Sequence, residues 1–340
     1  MSMQETSPVI AVVGATATGK SACAERLAEL LGGEIVSADS MQVYRGMDIG
    51  TAKVPSELRL VPYHCIDLVD PGEQYSAALY QKDARAAIED IRRRGRVAVV
   101  CGGTGLYVRA ALDDYRFPAG EQRDNPVRER YRRLLAEHDP AWLHEQLRRR
   151  DPDSAALIAP NNTRRVIRAF ELLEEGESYA RQHAALAHVG AYYDTVYLGL
   201  KADRQTLYER IDRRVDEMMA DGLLEEVRDL VEDGFEDGIT SMQAIGYKEF
   251  LPYLHATSPD ESLLEDAVAQ IKRSTRRYAK RQDTWFRKDT RIRWFDADAL
   301  DYPALLAYVD ARRARVVGVP DTSDQAFDDS RPSSRETRGA

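Results

Sequence analysis

Val9-Ile10-Ala11-Val12-Val13-Gly14-Ala15-Thr16-Ala17-Thr18-Gly19-Lys20-Ser21 reads as a short apolar strand running into a glycine-bounded loop. Helical periodicity follows over Ser21–Leu31 and ends at Gly32-Gly33. Gly14–Ser21 satisfies the phosphate-loop pattern GxxxxGK[ST] at every constrained position. A chance match in such a chain is on the order of one in a hundred. The glycines let backbone N–H groups converge on an anion at a helix N-terminus. Lys20 adds a positive charge for terminal phosphates, and the Ser21 hydroxyl is a ligand for Mg²⁺.

Outward from this loop, the first hundred residues alternate strands and helices. Glu34–Ala38 and Val97–Cys101 are further aliphatic strands, and Ser76–Arg94 is a long helix closed by Gly95. Such alternation predicts a parallel sheet covered on both faces, with ligands gathering at the carboxyl ends of its strands. After Pro118 the texture turns helical and Arg/Glu-rich, with helices expected over Pro126–Arg150 and Thr163–Glu175. Thr195–Leu200 resumes the strand pattern. Helices are expected at Arg204–Ala220, Leu223–Glu232, Ser241–Leu254 and Ser262–Arg287, with a last strand at Ile292–Phe295. The expected organisation is an α/β core in two parts, 1–117 and 194–317, interrupted by an all-helical insertion over 118–193. A tail over 318–340, rich in Asp, Ser, Pro and Arg, is expected to be disordered.

Composition narrows the function classes. The chain has 340 residues, 43% of them apolar and 31% charged, which excludes global disorder. No aliphatic run approaches the roughly 20 residues of a membrane span. MSMQETSPVI lacks a basic region followed by an apolar stretch, so no secretory signal is expected. Three scattered cysteines, Cys23, Cys65 and Cys101, make no CxxC pair and point to a reducing, cytoplasmic setting. The net charge of −9 hides a strong asymmetry. Lys272–Arg293 carries ten Lys or Arg against two Asp, a local net of +8 in 22 residues. That is the footprint of a polyanion site on an acidic body.

One departure from ordinary phosphate-loop ATPases bears on the chemistry. Those enzymes hold Mg²⁺ with an Asp at the end of a later strand. Here Val97–Cys101 runs into Gly102-Gly103-Thr104-Gly105, and the carboxylate appears instead after the second strand, as Asp39. A base beside a bound phosphate chain suggests group transfer with the acceptor deprotonated as it attacks. A kinase acting on a small acceptor and a prenyltransferase expelling diphosphate both fit that arrangement. A nucleotide switch is less well supported.

Gly14–Ser21 taken with Asp39-Ser40-Met41-Gln42-Val43-Tyr44 resembles the tRNA dimethylallyltransferase (isopentenyl-tRNA transferase) family. The similarity continues at Asp48-Ile49-Gly50-Thr51-Ala52-Lys53, Gly102-Gly103-Thr104-Gly105-Leu106-Tyr107, Asn161–Glu171 and Ala244-Ile245-Gly246-Tyr247-Lys248-Glu249. It ends in Thr275-Arg276-Arg277-Tyr278-Ala279-Lys280-Arg281-Gln282 with Thr284-Trp285-Phe286, so it spans about residues 8 to 295 in order. Arg164 stands where that family usually has glutamine, and Ala15 replaces a usual loop proline.

The resemblance implies a phosphate-loop α/β fold with a helical insertion, acting as a cytoplasmic monomer with Mg²⁺. The implied reaction moves a dimethylallyl group from dimethylallyl diphosphate to the exocyclic amine of the adenosine 3′ of a tRNA anticodon. It implies Asp39 as the catalytic carboxylate, and Thr16, Lys20 and Arg214 around the diphosphate. The tRNA contacts it implies are Asp39, Ser40, Met41, Gln42, Thr104, Arg128 and the segment Arg164, Arg165, Val166, Ile167, Arg168. If Lys272–Arg293 is helical, Arg273, Arg277, Lys280, Arg281 and Lys288 share one face. With the resemblance, Arg277, Lys280 and Arg281 are expected on tRNA phosphates, with Tyr278 and Trp285 on a stripe packed against the core.

Overall fold

The computed structural model describes residues 8–117, 125–187, 189–238, 240–258 and 260–316. Six parallel strands form one sheet in the order β3-β2-β4-β1-β5-β6. They are β1 (Val9–Gly14), β2 (Glu34–Ser37), β3 (Tyr63–His64), β4 (Ala98–Gly102), β5 (Thr195–Lys201) and β6 (Arg293–Asp296). β1 is central, and its six residues are all buried. Val9, Ala11 and Val13 point to one face and Ile10 and Val12 to the other. This period-2 alternation with apolar residues on both sides is what a doubly covered sheet requires.

On one face, α1 (Lys20–Leu31) packs against Ile10, Val12, Val99 and Leu198. α13 (Tyr302–Val316), which the sequence reading did not anticipate, adds Leu305 and Val309 to the same layer. The other face is covered by α2 (Ala77–Arg93), α3 (Gly105–Leu112), α9 (Arg204–Ala220), α10 (Leu223–Glu232) and α12 (Glu261–Phe286). The described residues of the insertion form α4 (Pro126–Glu137), α5 (Pro140–Arg150), α6 (Pro152–Leu157), α7 (Thr163–Glu174) and α8 (Tyr179–Ala187). They enclose a separate core of Tyr131, Leu143, Leu147, Val166, Ala169 and Phe170. Asp113 and Ala191 pair where the chain leaves the sheet and returns to it.

Several expected elements differ. Pro126–Arg150 is two helices, because Asp139 caps α5 by accepting from Trp142 N–H and Pro140 takes its first position. Ser241–Leu254 is a string of tight turns ending in the four-residue α11 (Leu251–Leu254). Gly246, at φ 99°, breaks any continuous helix there. The tail expected over 318–340 and the start of the insertion at 118–124 lie outside the described residues.

Candidate active site

The phosphate loop leaves β1 at Gly14 and winds through left-handed Ala17 and Gly19 into α1. Thr18 Oγ1 donates to the Ala15 carbonyl at 2.8 Å, closing the loop on itself. The Lys20 ammonium reaches the same carbonyl at 3.4 Å. Burial pulls the Lys20 ammonium below its ordinary value; Cys101 and Asp39 oppose that shift and Arg214 adds to it. A cation held where water cannot solvate it favours an anionic ligand.

Asp39 follows β2 by two residues and accepts from Met41 N–H at 2.9 Å, which fixes its carboxylate over the turn Asp39–Gln42. Thr104 locks that turn to the end of β4. Its N–H donates to the Ala38 carbonyl, and its hydroxyl oxygen accepts from Ser40 N–H at 3.1 Å. The next segment, Asp48–Lys53, is pinned from two sides. Lys53 Nζ, almost fully buried, donates to the Tyr44 carbonyl and pairs with Asp48 and Asp67. The Glu226 carboxylate on α10 accepts from the N–H groups of Asp48, Ile49 and Gly50 and from the Tyr247 hydroxyl at 2.7 Å. Lys53 therefore shapes the loop rather than facing the cavity. Thr51 lines the cavity, and its hydroxyl donates to the Met47 carbonyl at 2.6 Å.

α9 and α12 complete the site. Arg214 lies in the cavity near Asp39, not on a solvated face, and burial lowers its guanidinium value with Asp39 opposing. Gln282 joins three elements: its Oε1 accepts from Thr16 N–H in the phosphate loop at 2.8 Å, and its Nε2 donates to the Gly103 carbonyl at 2.9 Å. A side chain at Gly103 or Gly105 would displace a residue of α12. A Cβ would meet Gln282 Nε2 at 2.1 Å in the first case and Trp285 Nε1 at 2.0 Å in the second. The Gly102–Gly105 run is thus the surface on which the basic helix seats. Burial, with Asp39 nearby, pushes the Tyr278 hydroxyl up to about 12, with Thr104, Gln282 and Arg281 opposing.

Between these elements lies a cavity of about 490 Å³, which the phosphate loop lines through Thr16 and not through Lys20. Thr16, Asp39, Ser40, Arg214, Arg277 and Arg281 supply its polar side, and Ile211, Val215, Met218, Ala244, Ile245 and Ile271 its apolar side. A strongly polar anion subsite beside an apolar wall suits a substrate that is itself half phosphate and half hydrocarbon or base. Ser21 sits outside this lining, in a smaller cleft with Ser37, Gln42 and Lys53, its hydroxyl beside the Cys101 thiol. Among the described residues no cluster of three or more His, Cys, Asp or Glu could hold a metal. A single hydroxyl fits a Mg²⁺ ion that takes its remaining ligands from phosphate and water.

The expected tRNA contacts divide. Arg277, Lys280 and Arg281 are exposed, and among the described residues none pairs with a carboxylate. Lys272 and Arg276, on the same helix, pair inward with Asp216 and Asp212 of α9. Arg273 is held by Gln270. In the insertion, Arg164 and Arg165 are exposed, whereas Arg128 and Arg168 both bond the buried Glu171, at 2.6 and 2.8 Å. Val166 and Ile167 are in the insertion's core, which corrects their expected contact role: buried side chains cannot meet a partner's surface. Trp285, expected in the core, is 41% exposed; Ala279, Gln282 and Phe286 take the buried positions instead. Glu226 and Gln282 carry no signal in the sequence, since neither residue type announces that backbone groups from other elements converge on it.

Known proteins are similar to this chain in sequence and in fold. Residues 42–289 match the family model described as IPP transferase, and residues 7–61 match isopentenyl transferase. The tRNA dimethylallyltransferase of Geobacillus thermodenitrificans is 47% identical over 86% of this chain and 91% of its own. That of Bacillus subtilis is 46% identical over 85% and 90%. The crystal structure of the tRNA isopentenylpyrophosphate transferase of Bacillus halodurans superposes with a TM-score of 0.65 at 40% identity, covering 92% of this chain and 98% of that one. A eukaryotic dimethylallyltransferase acting on tRNA superposes with a TM-score of 0.75 at 31% identity, over 93% and 81%. With its phosphate loop, its Asp39 and its seated basic helix all inside the matched region, this chain belongs to the IPP transferase family, the family of the tRNA dimethylallyltransferases.

Proposed function

We propose that this chain transfers the dimethylallyl group of dimethylallyl diphosphate to the N6 amine of the adenosine 3′-adjacent to the anticodon in tRNA, releasing diphosphate. The observation that carries the reading is the convergence of phosphate loop, carboxylate and basic helix on one cavity with an apolar wall. An adenine amine is a weak nucleophile, because its lone pair is delocalised into the ring. Asp39 accepts a hydrogen bond from it and then its proton, as the new C–N bond forms and the C–O bond to diphosphate breaks. Lys20, Arg214 and the loop N–H groups hold the departing charge. Mg²⁺, when bound through the diphosphate and Ser21, would neutralise part of that charge. Ile211, Val215 and Met218 offer the hydrocarbon a dry wall. The adenosine must leave its stack to enter, at a cost of a few kcal/mol, and Arg277, Lys280 and Arg281 on the anticodon stem-loop offset that cost. Three free, buried thiols accord with a reducing cytoplasm.

The test is to combine the protein with Mg²⁺, dimethylallyl diphosphate and unmodified tRNA and then digest the RNA to nucleosides. Prenylated adenosine is expected, with pyrophosphate competing against the donor. Competition by ATP but not pyrophosphate, together with phosphorylation of a small acceptor, would establish a kinase instead.

A further inference from the structure

Trp285 is 41% exposed on a helix whose inward positions are Ala267, Ile271, Ala279, Gln282 and Phe286. It falls one turn beyond Arg281 and two beyond Arg277, both of which line the cavity, and Lys288 follows within the next turn. The indole therefore sits about 6 Å further along the helix than Arg281. Its ring edge rests on Gly105, and the following residue, Leu106, is 38% exposed. Gly105 in turn follows Thr104, whose hydroxyl holds the Ser40 N–H beside Asp39. An exposed aromatic ring thus continues the rim of the cavity, between cations that pair with no carboxylate among the described residues on one side and a lysine on the other.

This combination suits unpaired RNA: bases stack on aromatic side chains while neighbouring cations meet the phosphates. An apolar protein partner would gain little from a single ring flanked along the helix by Arg281 and Lys288, and a fully buried structural role is excluded by the exposure. We propose that Trp285 is a stacking platform for one of the two nucleotides flanking the adenosine that enters the cavity, replacing a neighbour lost when that base leaves the loop. This inference rests on the reading of the RNA substrate given above. In the bound state the indole holds the loop open beside the cavity, so its contribution lies in RNA binding and not in the transfer step.

The test uses the full chain and an anticodon stem-loop, intact or with an abasic nucleotide at either flanking position, titrated against the parent protein, Trp285→Phe and Trp285→Ala. Trp285→Ala should weaken binding by roughly ten- to a hundredfold, as loss of one base stack does. The slope of affinity against salt should be unchanged, because no phosphate contact is lost. Trp285→Phe should keep most of the affinity. An abasic nucleotide at the stacked position should weaken binding to the parent but not weaken Trp285→Ala further. Parent-like binding by Trp285→Ala overturns the proposal, as do equal abasic losses in parent and Trp285→Ala at both positions. Formation of prenylated adenosine on the intact loop by the parent protein tests the underlying reading separately.

Discussion

Asp39 holds one backbone hydrogen bond through Oδ1, from Met41, and otherwise faces two cations that burial has stripped of water. A carboxylate placed so can take a proton while the charge lost from the acceptor passes to the diphosphate. Asp39→Asn keeps the shape and the accepting oxygen but cannot take the proton. Turnover should fall by roughly the 10²–10⁴-fold that follows loss of a general base, while donor binding, measured by pyrophosphate competition, stays within a few fold. Near-normal turnover by a folded variant would remove Asp39 from the chemistry. The phosphate loop and Asp39 were legible from sequence because each is a residue type fixed at a strand end, where backbone geometry leaves little freedom. Lys53 and Arg128 show the opposite case. Lys53 is a cation within a matching motif and Arg128 an expected tRNA contact, yet the folded chain engages them with Asp48 and Asp67 in one case and Glu171 in the other. Asp48 lies within the same short motif, but nothing local announces Asp67 or Glu171, which lie on other segments.

Between elements, single side chains do the joining. Gln282, 5% exposed, ties α12 to the phosphate loop and to the end of β4. Gln282→Leu leaves the Thr16 N–H and the Gly103 carbonyl without that partner. Such a loss costs about 1–3 kcal/mol when the groups stay buried, and it should also loosen Thr16 at the diphosphate. Chemical unfolding should show the destabilisation, and a donor titration the weakened binding. An unchanged donor affinity would leave Gln282 a packing residue only. At the opposite end of the sheet, Glu34 of β2 is bonded by Arg94, which holds its carboxyl down at about 2, with burial opposing and His64 at 2.8 Å assisting. A folded value depressed from 4.5 means that this stabilisation is complete above about pH 4.5 and is lost as pH falls towards 2. Glu34→Gln should therefore flatten the acid limb of an unfolding-against-pH curve between those values and leave its shape at neutral pH alone. The same scale shows where sequence patterning ends. Long periodic helices such as Arg204–Ala220 and Leu223–Glu232 emerge at their expected bounds. The two-residue strand Tyr63–His64 has no period to read, and it exists because Ile35 and Val36 of β2 offer it an edge.

For the whole molecule, charge is sorted by destination. The chain carries a net −9, yet α12 presents Arg277, Lys280 and Arg281 to solvent while its Lys272 and Arg276 are neutralised by α9. An acidic body with an uncompensated basic ridge should repel polyanions except where the ridge meets the cavity, which predicts that an RNA loop is oriented towards Asp39. If the ridge touches phosphates, binding releases counterions and must weaken as salt rises. Each of Arg277→Ala and Lys280→Ala should then make the slope of log affinity against log salt shallower by somewhat under one unit. The two variants should differ in a second respect. Arg277 lines the cavity and Lys280 does not, so the loss at Arg277 extends to the positioning of the entering nucleotide. Lys280→Ala should keep near-parent turnover at saturating tRNA, while Arg277→Ala should lose turnover as well as affinity. Binding titrations at several salt concentrations, with single-turnover rates at saturation, separate these effects. Parental slopes in both variants would make the ridge a solvated face and leave orientation of the tRNA to the arginines of the insertion.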